Sequence, residues 1–473
     1  MKTTLRVIFG NRDFFPDHLV SEARQDILAL FQEMNIDGVM LGEQDTKMGS
    51  VETYAHARAC AELFKTKREH IDGILVVLPN FGDEKGVADT IKLSGLNVPI
   101  LVQAYPDDLS AFNVERRRDA FCGKISVCNN LRQYGYDFSL TSLHTSHPGS
   151  ESFKKDLQKF MAVCRVVKGL RSARLGAIGA RPGAFNTVRY SEKILQASGI
   201  TVTTVDLSEI LGDAARLNDD SPRVKAKLDE IHAYAKHDTV PSPAMMRMAK
   251  LGVVISDWMH ANDLQATALQ CWTSIQKNYG INACTLMSMM SNQLMPSACE
   301  TDITGVVSMY ALQLASNSPS ALVDWNNNYV DDPDRCVLFH CGNWAKSFIP
   351  EIEIKTAPIL GTTIGEENTY GAMAGRAIAG PMTYARVSTD DTSGIISTYT
   401  GEGELTNDPL DTFGNRAVAH VLNLQSLMKF ICKNGFEHHV AMTMTHVAPV
   451  LTEALSTYMK WDVYHHQGDR WLV

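Results

Sequence analysis

The sequence predicts an α/β protein of three domains. Two doubly wound, Rossmann-like domains with parallel sheets are expected at 1–168 and 169–316, and a mainly antiparallel β domain with flanking helices at 317–473. The length of 473 residues corresponds to two to four domains. Short apolar runs alternate twice with amphipathic stretches, which is typical of parallel sheets. Beyond residue 317, β-rich runs are separated by Gly, Pro, Asn and Asp.

The first domain is predicted from four apolar runs that alternate with helical stretches. The strands are "LRVIFG" (5–10), "DGVML" (37–41), "GILVVLP" (73–79) and "VPILVQA" (98–104), and the helices are 18–33, 52–69, 84–94 and 151–169. Ligands of parallel sheets bind at the carboxyl ends of the strands. The candidates there are Asn11 and Arg12 after the first strand, and Asn80 and Phe81 after the third.

The second domain is predicted from a further alternation of strand and helix. Strands are expected at 174–180 and 200–207, with a helix at 186–198 between them. The glycines at 176, 179 and 183 do not follow G-x-G-x-x-G, so a nucleotide site is only weakly indicated. Residues 206–292 are predicted to be mainly helical, and their Met-rich end is more typical of core packing than of a cofactor site.

The third domain is predicted from four short runs rich in β-forming residues. They are "CVLFHCGNW", "APILGTT", "AIAGPMTYARVS" and "GIISTYTGEGEL". A last helix is expected at about 447–459. Turn-forming residues between the runs favour antiparallel pairing.

Composition excludes several classes of protein. Hydrophobic residues make up 45% and charged residues 21% of the chain, as in a globular protein with a large interior. The formal charge of −9 argues against a nucleic-acid surface. No signal peptide or run of eighteen apolar residues is found, so no membrane partner is expected. Ten cysteines without a C-x-x-C pair indicate reduced thiols in a cytoplasmic protein.

Local patterns give most of the candidate functional residues ordinary roles. Ser297 and Glu300 have the spacing of a capping box before an apolar helix, and Asp302 would favour the dipole of that helix. Asp324 is expected to open a turn. A His at the end of a buried strand, such as His340, is more often a hydrogen-bonded core residue than a ligand.

Two adjacent histidines near the C-terminus are a further candidate. In an extended segment His438 and His439 would point to opposite faces, so at most one would reach a given metal. Glu, Asp and His could jointly bind a divalent ion, and oxygen-rich ligation favours Mn²⁺ or Mg²⁺ over a thiolate zinc site. No short motif such as H-E-x-x-H brings these residues together.

Four segments resemble the L-fucose isomerase and L-arabinose isomerase family. They are "RRRDAFCGKISVCNNLRQYG" (116–135), "ARPGAFNTVRYSEK" (180–193), "ACETDITGVVSMYAL" (298–312) and "HHVAMTMTHVAPVLTEAL" (438–455). The resemblance runs from the first strand to the last helix and includes the order of the three domains. It implies a metal-dependent aldose–ketose isomerase.

The resemblance also implies roles for individual residues. Glu300 and Asp324 match the two carboxylates that bind the metal and act as acid and base. His439 matches the metal-ligand histidine, and His340 lies close to a further metal-ligand histidine of the arabinose isomerase branch. The implied ion is Mn²⁺, with Mg²⁺ or Co²⁺ as alternatives.

Substrate contacts are implied at the remaining candidate residues. Arg12 corresponds to a substrate-binding arginine, and the loop at Asn80 and Phe81 resembles one that reaches the site of a neighbouring subunit. This loop lacks the tryptophan of the family, which leaves the substrate open. The other candidate substrate-binding residues are Arg181, Asn186, Arg189, Trp344 and His438.

The reaction implied is a proton transfer between C1 and C2 of a free sugar through a cis-enediol. The substrate is L-fucose, L-arabinose, D-arabinose or an anionic hexose such as sulfoquinovose, for which Arg12, Arg181 or Arg189 could bind the anion. The expected assembly is a homo-oligomer, a trimer or hexamer, with sites shared between subunits. A non-catalytic sugar-binding protein and a degenerate family member are the alternatives.

Overall fold

The computed structural model describes residues 3–66, 70–468 and 470–472, and contacts divide the chain into two compact units. The first unit spans Met1–Lys168 with Thr457–Met459, and the second spans Gly169–Ser456 with Lys460–Val473. The predicted boundary at residue 168 coincides with the end of the main segment of the first unit. The predicted boundary at 316 falls inside the second unit, so separate second and third domains stay a prediction.

The first unit contains a five-stranded parallel sheet with helices in the connections. Its strands are β1 Thr4–Phe9, β2 Asp37–Val39, β3 Gly73–Leu78, β4 Ile100–Ala104 and β5 Ser139–Leu140, in the order 2-1-3-4-5. Its helices are α1 His18–Glu33, α2 Tyr54–Lys65, α3 Glu84–Ser94, α4 Ala120–Gln133 and α5 Glu151–Leu170. The four predicted strands and four predicted helices are confirmed; residues 67–69 of the second predicted helix lie outside the described residues.

Burial and capping explain why these elements form where they do. Every residue of β3 and β4 is buried, which fits their unbroken apolar sequences. At the start of α3, Asp83 accepts a hydrogen bond from the backbone N–H of Gly86, and Gly95, with a φ of 61°, follows the last residue of the helix. A side-chain oxygen is a favoured cap at a helix N-terminus, and a glycine in the left-handed conformation is favoured after the C-terminus.

The second unit begins with a four-stranded parallel sheet and its helices. The strands are β6 Arg174–Ile178, β7 Thr201–Val205, β8 Ala266–Leu269 and β9 Ser297–Ala298, in the order 7-6-8-9. The helices are α6 Glu192–Ala197, α7 Leu207–Arg216, α8 Pro222–Tyr234, α9 Ser242–Ala261, α10 Ser274–Tyr279, α11 Cys284–Asn292 and α12 Ile303–Ser316. The short strand β8 lies inside the region predicted to be mainly helical. The methionines of α11 are buried, so the core-packing interpretation is confirmed.

The third sheet is mixed, with ten strands that are mainly antiparallel. They are β10 Ala321–Asn328, β11 Arg335–His340, β12 Glu353–Lys355, β13 Ala372–Arg376, β14 Gly380–Asp390, β15 Ile395–Thr406, β16 Asn415–His420, β17 His439–Thr443, β18 Asp462–Gln467 and β19 Arg470–Leu472. Because β15 pairs with both β14 and β16, six strands form a closed antiparallel ring in the order 16-11-10-17-14-15. Closure removes the exposed edges of those strands.

The helices of this part differ from the sequence prediction at 358–364 and at 424–433, where no helix was expected. They are α13 Pro358–Ile364, α14 Leu424–Lys433 and α15 Ala448–Thr452, followed by a π-helical turn at Glu453–Tyr458. The prediction of a β run at "APILGTT" is wrong, because Pro358 begins a helix there, at the position where its fixed φ and missing N–H are tolerated. Among the described residues, no helix combines the length and the apolar character needed to cross a membrane.

Candidate active site

Carboxylates and histidines converge in the second unit, where the carboxyl edge of its parallel sheet meets three strands of the closed ring. Glu300 follows β9, and Asp324 and His340 lie on β10 and β11. His439 is the first residue of β17 and pairs directly with Asp324 across the two antiparallel strands. Directly paired residues project from the same face of a sheet, so this register brings Asp324 and His439 together. The prediction that Asp324 opens a turn is wrong, since it lies within a strand.

The backbone at Glu300 makes an unusual bend. Glu300 and the following Thr301 have φ values of 55° and 56°, in the left-handed region that costs energy for residues with a side chain. The N–H of Thr301 donates to the carbonyl of Leu269 at the end of β8, 3.1 Å away. The bend leaves the Glu300 carboxylate buried, with only 5% of the residue exposed.

The predicted capping box at Ser297 and Glu300 is wrong. Ser297 lies in β9, where its hydroxyl is bonded to that of Thr267 at 2.9 Å. The cap is Asp302, whose carboxylate accepts from the N–H of Gly305 at 2.8 Å. The left-handed bend at Glu300 delays the start of the helix beyond the position that the local motif indicates.

The carboxylates of Glu300 and Asp324 lie close enough to imidazole nitrogens for these groups to share a metal ion. His439 Nε2 lies 3.6 Å from Glu300 Oε2 and 3.5 Å from Asp324 Oδ1. His340 Nε2 lies 3.8 Å from Glu300 Oε2, and His438 Nε2 lies 3.6 Å from Asp324 Oδ1. The donor atoms of Glu300, His340 and His439 lie within 4.8 Å of one another, as do those of Asp324, His438 and His439.

Both adjacent histidines therefore contact Asp324, in contrast to the expectation that their side chains point to opposite faces. The physical reason is that β17 begins at His439, so His438 precedes the strand and strand alternation does not apply to it. The two rings lie 4.4 Å apart at a tilt of 52°. Burial and the neighbouring His439 lower the pKa of His438 to about 4, which keeps its ring neutral.

Two carboxylate oxygens of this site have no hydrogen-bond partner in the described structure. They are Glu300 Oε2 and Asp324 Oδ1, and both atoms are buried. An unpaired buried oxygen is costly, so its presence calls for an explanation. Carboxylate and imidazole donors together suit a divalent cation, and these residues therefore fit a metal ion.

A buried ion-pair network holds the imidazole of His439. Asp302 Oδ2 is 2.9 Å from His439 Nδ1, and Arg386 donates to the two oxygens of Asp302 at 2.6 and 3.0 Å. Arg386 also donates to Glu437 at 3.0 Å, and both Asp302 and Arg386 are fully buried. A carboxylate on Nδ1 fixes the proton there and directs Nε2 towards a ligand. Asp302 thus caps a helix and orients a histidine, a second role that its sequence context did not indicate.

Local electrostatics shift the pKa values of Glu300 and Asp302 in opposite directions. Burial raises the pKa of Glu300, and the imidazoles of His340 and His439 oppose this rise only in part. Burial would also raise the pKa of Asp302, but Arg386 and His439 outweigh it and hold the pKa below its usual value. The charged form of Asp302 is therefore favoured, whereas that of Glu300 is disfavoured.

Two aromatic residues that sequence reasoning missed border the site. Trp272, after β8, donates from Nε1 to Glu300 Oε1 at 2.8 Å. Phe185 packs edge-on against Trp272 and His438, with ring centres 5.7 and 5.5 Å apart. Phe185 stands in the segment 180–193 that carries the family resemblance, so a signal for it was present. No motif marks Trp272.

A large polar cavity contains three of the predicted substrate-binding residues. The cavity measures about 980 Å³ and is lined by Arg181, Asn186 and Arg189 together with Thr301. Arg181 donates to Asn186 Oδ1 at 3.0 Å, and Arg189 Nε donates to the Asn186 carbonyl at 3.2 Å. Asn186 therefore holds both guanidinium groups on the cavity wall.

Trp344 and the predicted substrate-binding residues of the first unit do not line this cavity. Trp344 is fully buried and donates from Nε1 to the carbonyl of Leu322 at 3.2 Å, so the structure gives it a packing role. In the first unit, Asn80 Nδ2 donates to Asn11 Oδ1. Arg12 pairs with Glu84 and stacks 4.5 Å from the ring of Phe81.

Comparisons with known proteins find similarity to sugar isomerases. Residues 6–171 match the family model described as "Fucose/sulfoquinovose isomerase, N-terminal domain", and residues 338–466 match "L-fucose isomerase, C-terminal domain". Proteins named sulfoquinovose isomerase from Priestia aryabhattai and Priestia megaterium are each 24% identical over 343 residues, covering 71% of this chain and 74% of theirs. The protein of that name from Alkalicoccus urumqiensis is 23% identical over 341 residues, with coverage of 71% and 74%.

Proposed function

The chain belongs to the L-fucose isomerase family and is an aldose–ketose isomerase, and from this premise we propose that Glu300 and Asp324 are its acid–base pair. They would move a proton between C1 and C2 of a free sugar through a cis-enediol. The observation that carries the proposal is the pair of buried, unpartnered oxygens, Glu300 Oε2 and Asp324 Oδ1, which lie 3.6 and 3.5 Å from His439 Nε2.

We assign the metal ligands to the same group of residues. Glu300, Asp324 and His439 would hold a divalent ion, and His340 is a further candidate through Nε2. A bound ion supplies Lewis-acid stabilisation of the negative charge that develops on the sugar oxygens. Carboxylate and imidazole ligands favour Mn²⁺, with Mg²⁺ and Co²⁺ as alternatives.

The surroundings of Glu300 suit proton transfer. Trp272 donates to Oε1, whereas Oε2 has no hydrogen-bond partner, so Oε2 is the oxygen that we assign to proton transfer. Burial raises the Glu300 pKa, which brings a carboxyl nearer to the range in which an acid–base catalyst works at neutral pH. Asp324 lies on β10 and supplies the second carboxylate. One of the two carboxylates would remove the proton from the sugar, and either of them would return it.

The test is isomerisation in D₂O with chelator-treated protein reloaded with Mn²⁺. Proton transfer through an enediol introduces solvent deuterium at C1 or C2, whereas a hydride shift does not. Glu300→Gln and Asp324→Asn should each lower kcat by about 10²–10⁴-fold, the usual contribution of a general acid or base. Glu404→Gln, an exposed carboxyl on β15, is the control. Product without deuterium, or full activity in both variants, would refute the mechanism.

For the substrate we propose sulfoquinovose, an anionic hexose, over the neutral L-fucose, L-arabinose and D-arabinose. The curated relatives carry that name, and the cavity beside Thr301 presents Arg181 and Arg189. Within the described residues, neither guanidinium lies within 4.0 Å of a carboxylate, so both charges are available to a sulfonate. Arg12 is less suited, because Glu84 already compensates its charge.

The sulfonate can be tested separately from the reaction. D-quinovose has hydrogen where sulfoquinovose has the sulfonate, and it serves as the uncharged comparison. A charge-assisted hydrogen bond contributes about 1.5–3 kcal/mol, so Arg181→Ala or Arg189→Ala should lower kcat/KM for sulfoquinovose about 10–150-fold and change that for D-quinovose little. Arg174→Ala, at the opposite end of β6, is the control. Equal losses on both sugars would argue against sulfonate binding.

We further propose a cytoplasmic homo-oligomer, a trimer or hexamer, in which Asn80 and Phe81 complete the site of a neighbouring subunit. The pairing of Asn80 with Asn11 and the stacking of Arg12 on Phe81 give this loop a defined shape. Mixing an Asn80→Ala/Phe81→Ala variant with Glu300→Gln should restore activity if sites are shared. A non-catalytic sugar-binding protein has no need of unpartnered carboxylates, so no observation favours that alternative.

A further inference from the structure

Four cysteines surround the ring of His340 and the Glu300 carboxylate. His340 Nδ1 lies 3.6 Å from the Sγ atoms of both Cys299 and Cys341. Cys341 Sγ is 3.8 Å from that of Cys284, and Cys271 Sγ is 3.4 Å from Glu300 Oε1. His340 therefore has its Nδ1 among thiols and its Nε2 towards Glu300, 3.8 Å away.

The spacing of three of these donors matches a tetrahedral metal site. With metal–sulfur and metal–nitrogen distances of about 2.3 and 2.05 Å, tetrahedral geometry places neighbouring sulfur and nitrogen ligands about 3.6 Å apart. Both sulfur–nitrogen distances to His340 Nδ1 are 3.6 Å. The three donor atoms of Cys299, His340 and Cys341 lie within 4.8 Å of one another.

We propose that Cys299, His340 and Cys341 bind a thiophilic d¹⁰ ion such as Zn²⁺ at a second metal site, distinct from the carboxylate site. Thiolate ligands select soft and borderline ions over Mn²⁺ or Mg²⁺, so the two sites differ in the ion they take. Cys341 and Glu300 line the same cavity of about 320 Å³, which gives an ion a route to the thiols.

Occupation of this thiol site inhibits the isomerase, a consequence that rests on the proposed function. A neutral imidazole has one nitrogen lone pair and one N–H. When Nδ1 of His340 binds the thiophilic ion, the proton stands on Nε2. That nitrogen can then no longer act as a ligand at the carboxylate site, and it donates to Glu300 Oε2, the oxygen that proton transfer requires.

Binding is tested on the reduced, chelator-treated full chain with Cd²⁺ as a spectroscopic probe. One equivalent of Cd²⁺ per chain should give ultraviolet thiolate-to-metal charge-transfer absorption, which Zn²⁺ removes by competition and excess Mn²⁺ does not. Cys299→Ser and Cys341→Ser should each lose most of the absorption. Cys336→Ser is the matched control, a buried cysteine on β11 of the same unit.

A measurement on the unmodified chain keeps the proposal falsifiable if the serine variants fail to fold. Zn²⁺ should slow alkylation of Cys341 and Cys299 at least tenfold, measured by peptide mass spectrometry, and Mn²⁺ should not. Absence of thiolate absorption with one equivalent of Cd²⁺, or alkylation unchanged by Zn²⁺, overturns the site.

The inhibitory consequence has its own readout. Zn²⁺ should inhibit the Mn²⁺-loaded enzyme at concentrations that protect the thiols, and inhibition should be at least tenfold weaker in Cys341→Ser. Thiol protection without inhibition refutes the coupling through His340 but not the site. If no sugar is isomerised at all, the proposed function fails while the Cd²⁺ and alkylation results still decide the thiol site.

Discussion

Replacing Asp302 with Asn tests whether a buried carboxylate prepares His439 for metal binding. Asn is close in shape to Asp and is an equally good helix N-cap, so the hydrogen bond from Gly305 should survive. The negative charge is lost, and with it the anion that faces both Arg386 and His439 Nδ1. The substitution therefore separates the charge of residue 302 from its capping role.

The magnitude follows from the burial of this network. Removing one partner of a buried ion pair costs about 3–5 kcal/mol, and Arg386 has no exposed surface. Glu437 remains 3.0 Å from Arg386, so we expect a loss near the lower end, about 3 kcal/mol. Loss of a carboxylate behind a metal-ligand histidine typically weakens metal binding about 10–100-fold.

The assay combines urea unfolding of the metal-free protein with calorimetric titration of Mn²⁺. Asp206→Asn is the control, because Asp206 is an exposed N-cap of α7 that accepts from the N–H of Ser208 at 2.7 Å. The control should leave both the free energy of unfolding and the Mn²⁺ affinity nearly unchanged. If Asp302→Asn binds Mn²⁺ within threefold of the unmodified protein, the reasoning about His439 is refuted.

Three further predictions concern other residues. The hydrogen bond that Trp272 donates to Glu300 Oε1 favours the charged carboxylate. Trp272→Phe removes this donor, so the Glu300 pKa should rise further and the acid limb of kcat/KM should move to higher pH. Removal of the metal by a chelator should lower the melting temperature measured by differential scanning calorimetry, since an ion present at a concentration of 100 times its Kd adds about 2.7 kcal/mol to the free energy of unfolding. In Asp324→Asn, the chelator should no longer change the melting temperature. Burial lowers the pKa of Lys124, which is 1% exposed, to about 8. Between pH 8 and about 10.4, Lys124 is protonated in the unfolded chain but neutral in the folded one. The free energy of unfolding should therefore rise with pH by up to about 3 kcal/mol relative to Lys124→Met. If urea unfolding gives the two proteins the same pH dependence across this range, the prediction is refuted.

Elements whose pattern is local could be predicted from the sequence. The amphipathic spacing of 18–33 gives α1 its observed limits, His18–Glu33, and the apolar run at 73–79 is a buried strand. The helix Pro358–Ile364 was missed because its β-forming threonines and isoleucines outweighed the proline that begins it.

The site depended on contacts that no local pattern encodes. Glu300, Asp324 and His439 were assigned through family resemblance, and only the strand register brings the last two face to face. Arg386 lies 84 residues from Asp302, so its pairing has no signature in sequence spacing. The thiol site around Cys341 was hidden for the same reason, because long-range folding rather than a C-x-x-C motif assembles it.

The hydrogen bond between Asp302 and His439 also sets an order of events during synthesis. The two residues are 137 positions apart, and a ribosome adds about 5–20 residues per second. The Asp302 carboxylate is therefore translated about 7–27 seconds before its imidazole partner exists. A product truncated before β17 would therefore contain Glu300, Asp324 and His340 but lack His439, one of the four residues proposed as metal ligands.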